Sequence, residues 1–174
     1  MDSSNTPEPA DDDNRNRMAA LPEAPSLINR QRVEQADWSG AEAFLRQLSS
    51  EVAGGSFSVC LLSDRGIRRY NKRFRRQDQA TDVLAFPAGS RGREEQSYLG
   101  DILISVETAR RNATRYGLRL DEEIKILALH GLLHLMGYDH ENDGGRMARQ
   151  ERLWCSRLGL ARSLTSRANK SSDE

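Results

Sequence analysis

The stretch that organises this chain runs from Asp121 to His140 and reads D-E-E-I-K-I-L-A-L-H-G-L-L-H-L-M-G-Y-D-H. It contains all three histidines of the 174-residue sequence, at positions 130, 134 and 140. Its apolar residues surround the helix axis instead of forming one stripe, which is typical of a helix buried in the middle of a domain. The pattern therefore predicts a central buried helix that holds its histidines rigidly.

The spacing of the histidines predicts a metal site. A helix turns about 100° and rises about 1.5 Å per residue, so His130 and His134 leave one face a single turn apart. At Gly137 a left-handed residue can end the helix and return His140 as a third ligand. Three imidazoles suit a divalent ion such as zinc and leave a fourth position for water or substrate. A chance cluster of histidines is the alternative, but H-x-x-x-H-x-x-G-x-x-H is a known zinc-ligand spacing.

The same spacing occurs in metzincin proteases, so a metallopeptidase is one candidate function. In those enzymes the residue after the first histidine is a glutamate that acts as general base. Here that residue is Gly131. A peptidase built on this motif would lack the carboxylate that deprotonates the attacking water, and we therefore disfavour it.

Length and composition are typical of a single folded domain in a soluble, globular protein. The 26 basic and 26 acidic residues give a net charge of zero, so the overall charge indicates no nucleic-acid partner. No apolar run approaches the about 20 residues of a membrane span, and residues 1–18 lack the apolar core of a secretory signal. We expect a cytoplasmic protein that does not bind membranes, with Cys60 and Cys155 reduced and buried.

The chain divides into a folded part between two polar ends. Residues 1–24 are acidic and contain three prolines, so they are expected to form a disordered tail. Residues 25–160 are expected to form the domain, and residues 161–174 a flexible C-terminal tail.

Strands and helices alternate along the domain. Period-two and β-branched patterns predict strands at Ser26–Val33, Ser56–Leu62, Thr81–Pro87 and Tyr98–Ser105, the last two as an antiparallel pair. Helical spacing predicts helices between Trp38 and Gly54, at Arg65–Phe74, between Ser105 and Gly117, from Asp121 onward, and at Gly144–Leu158. The predicted fold class is α+β, a single domain in which a small mixed β-sheet of about four strands packs with the buried metal-ligand helix and surrounding helices.

The helix predicted at Arg65–Phe74 opens the only strongly one-signed stretch of the chain. Between Asp64 and Arg76, one acid stands against seven bases: Arg65, Arg68, Arg69, Lys72, Arg73, Arg75 and Arg76. Such a run is often only a solvated helix face. Beside a metal site it also suits a polyanionic substrate.

Four motifs resemble those of the YbeY endoribonucleases, bacterial-type metal-dependent RNases of ribosomal RNA maturation. The family's H-G-x-L-H-L-x-G-Y-D-H motif is present in full. The chain also resembles the family's Asn-x-x-aromatic-Arg, T-D-V-L-S-F-P and L-G-D-I-x-I-S motifs, at Asn71–Arg75, Thr81–Pro87 and Leu99–Ser105 respectively. The resemblance covers most of the span from Phe57 to Leu160.

The resemblance implies a function and roles for individual residues. It implies that His130, His134 and His140 bind one zinc ion per chain, and that Arg75 is a catalytic arginine near the metal. A guanidinium suits that role because it can hold the added negative charge of a pentacoordinate phosphorus through two parallel hydrogen bonds. The other bases of the helix become candidate RNA contacts: Arg65, Arg68, Arg69, Lys72, Arg73 and Arg76.

The implied activity is that of a single-strand-selective endoribonuclease acting on ribosomal RNA. It would process the 3′ end of small-subunit rRNA and serve ribosome quality control, with the small ribosomal subunit as a partner. The nucleophile can be water or a substrate 2′-OH, and Asp139 can be its general base, a partner of His140 or a cap of the turn. A rival from another class is a ribosome-assembly factor that binds RNA without cutting it and whose zinc is structural.

Overall fold

The computed structural model describes residues 23–89, 98–139, 142–161 and 164. Within these residues the strands are Ser26–Asn29 (β1), Ser56–Leu62 (β2), Val83–Pro87 (β3) and Tyr98–Ser105 (β4). The α-helices are Ser39–Leu48 (α1), Asp64–Arg75 (α2), Val106–Tyr116 (α3), Leu120–Leu135 (α4) and Arg146–Arg157 (α5). A π-helical turn, Ser49–Ala53, extends α1 to Gly54.

The four strands form one mixed sheet in the order β1-β2-β4-β3. β1 and β4 both run parallel to β2, whereas β3 pairs with β4 in the antiparallel sense, with Val83 opposite Ile104. β3 is an edge strand, a position at which the missing N–H of Pro87 is tolerated. The predicted α+β class and the antiparallel pairing of β3 with β4 are confirmed.

Helices cover both faces of this sheet. Side chains alternate along each strand, so each face presents apolar residues to the helices that pack on it. On one face, Leu84 and Leu103 pack with Ile67 of α2. On the other, Ile102 and Ile104 belong to the main core, to which α1, α3 and α4 contribute. α5 packs against α4 and adds a further layer. The two candidate functional helices, α2 and α4, therefore lie on opposite faces of the sheet.

α4 is the buried central helix that its sequence predicts. Leu127, Leu129, Leu132 and Leu133 are inaccessible to solvent. The helix ends at the predicted glycine, since Gly137 has φ = +92° and the N–H of Tyr138 donates to the carbonyl of Leu133 over 3.0 Å.

Besides helix ends that shift by one or two residues, three details differ from the sequence prediction. β1 ends at Asn29 instead of Val33, because the Gln31 side chain accepts hydrogen bonds from the N–H groups of Val33 and Glu34 and turns the chain. β3 begins two residues later than predicted, at Val83. Cys155 is buried as expected, but Cys60 is only half-buried.

Some predictions fall on parts of the chain that the structure does not describe. Residues 1–22, 162–163 and 165–174 lie outside the described residues, so the two tails and the domain bounds remain predictions. Leu164, the last described residue, packs against the main core. None of the described helices is both long and apolar enough to cross a membrane.

Candidate functional site

The first two predicted metal ligands face each other on α4. His130 is buried and His134 half-buried, and their rings lie nearly perpendicular with centroids 4.8 Å apart. Their Nε2 atoms are separated by 3.2 Å. The i, i+4 spacing on a rigid helix thus brings the same nitrogen of both rings to one point, as the sequence predicts.

Glu151 of α5 holds the other ring nitrogen of His130. Its Oε1 lies 2.9 Å from Nδ1 of His130, and its side chain is completely buried. A carboxylate accepts only, so Nδ1 carries the proton and Nε2 keeps its lone pair in the neutral imidazole. Sequence reasoning missed Glu151, although its place in the buried stripe of Met147 and Cys155, four residues apart on either side, is a detectable signal.

The geometry of the pair fits a divalent metal ion. Two nitrogens each about 2.0–2.1 Å from one tetrahedral ion lie about 3.3 Å apart, close to the observed 3.2 Å between the Nε2 atoms. A carboxylate on the far nitrogen of a ligand histidine is also the usual support of such a ligand. The same spacing accommodates a hydrogen bond in which Nε2–H of His134 donates to His130. The donor set therefore fits a metal at the point where both Nε2 atoms meet.

The third predicted ligand, His140, lies outside the described residues. Among the described ones, no group of three or more His, Cys, Asp or Glu side chains is arranged to hold an ion. Asp139, which precedes His140 in the sequence, accepts a hydrogen bond from Nδ2 of Asn142 over 2.9 Å and so takes part in the turn between α4 and α5. The part that His140 plays stays a prediction.

Gly131 lies on the face of α4 that packs against Ile102 of β4. A Cβ added there would lie 2.6 Å from Cγ2 of Ile102, well inside van der Waals contact. The glutamate that follows the first histidine in metzincins has no room at this position. The absence of a general base after His130 therefore has a packing cause, which agrees with the disfavoured peptidase interpretation.

The basic residues of α2 are exposed but not equivalent. Asp78 binds two of them, with Oδ1 2.7 Å from Nε of Arg68 and Oδ2 2.9 Å from Nζ of Lys72. Hydrogen bonds from these two cations lower the pKa of Asp78 to about 2. Both charges are therefore already partly neutralised within the chain.

Arg75, the candidate catalytic arginine, occupies the last position of α2. It is exposed, and in the described part of the chain it forms no hydrogen bond or ion pair. Asn71 fixes the backbone just beyond it, because its Nδ2 donates to the carbonyl of Gln79 over 2.8 Å and its own carbonyl accepts from the N–H of Arg76. Within the described residues the guanidinium is thus available to a ligand at the C-terminal end of α2.

Asp64 anchors the other end of α2 to α3. Its carboxylate accepts hydrogen bonds from the hydroxyls of Ser105 and Thr108 and from the guanidinium of Arg111. Partial burial raises the pKa of Asp64, but the three hydrogen bonds outweigh burial and leave the pKa below its ordinary value. This network fixes the orientation of the basic helix on the sheet.

Comparisons with known proteins agree with the fold and with the motifs. Residues 28–159 match a family model described as Endoribonuclease YbeY. The chain belongs to the YbeY endoribonuclease family. It is 44% identical over 147 residues to the endoribonuclease YbeY of Solibacter usitatus, and the matched residues cover 84% of this chain and 96% of that protein. It is 45% identical over 120 residues to the endoribonuclease YbeY of Nautilia profundicola, covering 69% of this chain and 84% of that one.

A solved structure shows the same fold. The solution structure of TM1509 from Thermotoga maritima matches with a TM-score of 0.53 and 26% identity, covering 87% of this chain and 96% of that one. The family match spans both α2 and α4, so the basic helix and the histidine pair are both parts of the YbeY domain.

Proposed function

We propose that this YbeY-family chain is a metal-dependent endoribonuclease that selects single-stranded RNA. Its substrate is ribosomal RNA. In the cytoplasm it processes the 3′ end of small-subunit rRNA and takes part in ribosome quality control, and its partner is the small ribosomal subunit. The relatives named endoribonuclease YbeY support cleavage of RNA. The ribosomal substrate and partner follow from the resemblance of the motifs.

One observation supports the proposal most strongly: two Nε2 atoms converge at 3.2 Å on a buried helix, and one of the rings is held by a buried carboxylate. His130, His134 and His140 would hold one zinc ion per chain. Glu151 keeps the proton of His130 on Nδ1, so its Nε2 lone pair stays available. Such an ion supplies Lewis acidity toward a phosphodiester when it is bound.

The protein's own residues supply binding and charge stabilisation. Arg75 is exposed and unpaired in the described part of the chain, so its two parallel N–H groups are available to the negative charge that develops on phosphorus. Arg65, Arg69 and Arg73 of α2, together with Arg76 just after it, add phosphate contacts.

The separation of α2 from α4 by the sheet favours a long substrate. β3 is the edge strand, and its residues contribute to both faces: Val83 and Ala85 pack on the α4 side, Leu84 and Phe86 on the α2 side. A polynucleotide that crosses this edge would contact both helices, whereas a small molecule would not. A non-catalytic RNA-binding factor remains the rival, because α2 alone would serve it.

Cleavage of matched strands tests the proposal. We expect the purified metal-loaded protein to cut a single-stranded rRNA 3′-end fragment, and to cut much more slowly the same fragment annealed to its complement. Chelation should abolish cutting and metal addition should restore it. Binding without cleavage under zinc, manganese or magnesium would favour the binding factor.

Arg75→Lys separates a catalytic role from simple attraction. Lysine keeps the charge but loses the planar fork, so the single-turnover rate at saturating RNA should fall by on the order of 10²-fold while metal content stays unchanged. Arg69→Lys, at an exposed position within the same helix, is the matched control. A saturating rate within about twofold of wild type would remove Arg75 from the catalytic residues.

A further inference from the structure

Three aromatic side chains form an aromatic cluster on the α2 side of the sheet: Tyr70 and Phe74, which are exposed, and Phe86, which is partly buried. The rings of Tyr70 and Phe74 are nearly parallel, with centroids 6.4 Å apart. Phe86, from the edge strand β3, meets Phe74 edge-on at 5.1 Å and Tyr70 at 6.4 Å. α2 and β3 together build one aromatic surface.

Two rings of this cluster are exposed to solvent instead of being packed in the core. The sequence places Ile67, Tyr70 and Phe74 on one helix face, but only Ile67 is buried, whereas Tyr70 is 38% and Phe74 56% exposed. Large exposed rings grouped together mark interaction surfaces more often than folding contacts. Phe74 therefore leaves more than half of its surface open to a ligand.

The surroundings of the cluster are positively charged. The guanidinium of Arg73 lies 5.4 Å from the ring centroid of Phe74. Arg69 and Arg75 lie next to Tyr70 and Phe74 in the sequence of the same helix, and within the described residues they form no ion pair. An aromatic surface with an arginine over one ring, on a helix that carries further exposed arginines, complements a ligand that is both planar and anionic.

We infer that the aromatic cluster is a stacking platform for the bases of single-stranded RNA, with Phe74 as its most accessible ring. The inference rests on the proposed function, for which it supplies a reason for strand selectivity. Bases in a duplex are already stacked on each other, whereas bases of a single strand can stack on protein rings. The arginines beside the rings bind the phosphates that connect those bases.

The experiment compares a 2′-O-methyl oligouridylate with an abasic strand of equal length, using metal-loaded protein and checking on a gel that the strands stay intact. Phe74→Leu removes the ring but keeps apolar volume, and Phe74→Tyr keeps the ring. Val33→Ala is the matched control, because Val33 is exposed to a similar extent, 53%, outside α2 and β3. Dissociation constants are measured for each protein and each strand.

The platform predicts that wild type binds the base-containing strand more tightly than the abasic one. Phe74→Leu should weaken binding of the base-containing strand by about 5- to 150-fold, the range for loss of one stacked base, and leave binding of the abasic strand unchanged. Phe74→Tyr and Val33→Ala should bind both strands as wild type does.

A Phe74→Leu protein whose ratio of the two dissociation constants equals that of wild type would overturn the inference and favour a protein partner for the cluster. Cleavage is measured separately on the wild type, so the two ideas fail independently. If Phe74→Leu loses base-dependent binding, the stacking platform is supported even when wild type cuts no RNA. If wild type cuts RNA but Phe74→Leu leaves the ratio of the two dissociation constants unchanged, the platform is refuted and the proposed endoribonuclease activity is not.

Discussion

Replacement of Glu151 by glutamine is expected to weaken metal binding by about 10- to 100-fold and to leave the fold intact. Glutamine has nearly the shape of glutamate, and its Oε1 can still accept the Nδ1–H of His130 at the observed 2.9 Å. The substitution removes the negative charge and replaces the second carboxylate oxygen by an NH2 donor, so the His130 ring stays oriented by Oε1 but its Nε2 becomes a weaker ligand.

The expected size of the effect follows from the burial of this contact. The side chain of His130 is 7% exposed and that of Glu151 is fully buried, so solvent screens their interaction little. A loss of 10- to 100-fold corresponds to about 1.4–2.7 kcal/mol. Glu151→Ala should weaken metal binding more than Glu151→Gln does, because it removes the oxygen that accepts the buried Nδ1–H of His130. The same loss should lower the free energy of unfolding by about 1–3 kcal/mol.

The assay is competition for zinc between the protein and a chromophoric chelator, with thermal unfolding measured on the same samples. Glu123→Gln is the control, since Glu123 is also fully buried on α4 but lies seven residues, about 10 Å along the axis, before His130. Equal zinc affinity in Glu151→Gln and wild type would refute the assigned role of this carboxylate.

Three further predictions concern packing, pH and charge. Gly131→Ala should lower the free energy of unfolding, measured in urea, by about 1–3 kcal/mol. The loss should be smaller in the Ile102→Ala background, where the contacted side-chain atoms are gone. If the losses of the two substitutions simply add, the contact between these residues is contradicted. Because the pKa of Asp64 lies below its ordinary value of 3.8, its stabilising contribution is present above that pH and is lost as the pH falls through the lowered value. The stability gap between wild type and Asp64→Asn should therefore be larger at pH 7 than at pH 3, and a constant gap would contradict this. Asp78→Asn should free two cations for phosphates, so RNA affinity should rise and its salt dependence should steepen; an unchanged slope would show that the released charges do not contact RNA.

The local elements of the fold could be predicted from sequence because their signals are local. β2 and β4 begin and end at the predicted residues, since each is rich in aliphatic and aromatic residues that the helices on the two faces of the sheet bury. Ser63 and Ser105 cap α2 and α3, as is typical of a serine just before a helix, and each hydroxyl accepts a hydrogen bond from the backbone N–H three residues later. The meeting of His130 with His134 follows from helix geometry alone.

The features that were missed depend on tertiary packing. Glu151 reaches His130 only because α5 packs against α4, and 21 residues separate the two side chains in sequence. The aromatic cluster needs Phe86 of β3 beside α2, whereas the helical spacing of Tyr70 and Phe74 shows only that these two rings share a helix face. Asp78 likewise binds Arg68 only because the chain turns back after α2.

We propose that cleavage requires one metal ion held by the histidines of α4. To test this, zinc content per chain and the single-turnover cleavage rate are measured on the same preparations, from chelator-stripped protein through stepwise reconstitution, for wild type and His134→Ala. The wild-type rate should rise in proportion to bound zinc and saturate at one ion per chain, and His134→Ala should retain little zinc and little activity. Undiminished cleavage by stripped wild-type protein, or full zinc occupancy in His134→Ala, would contradict it.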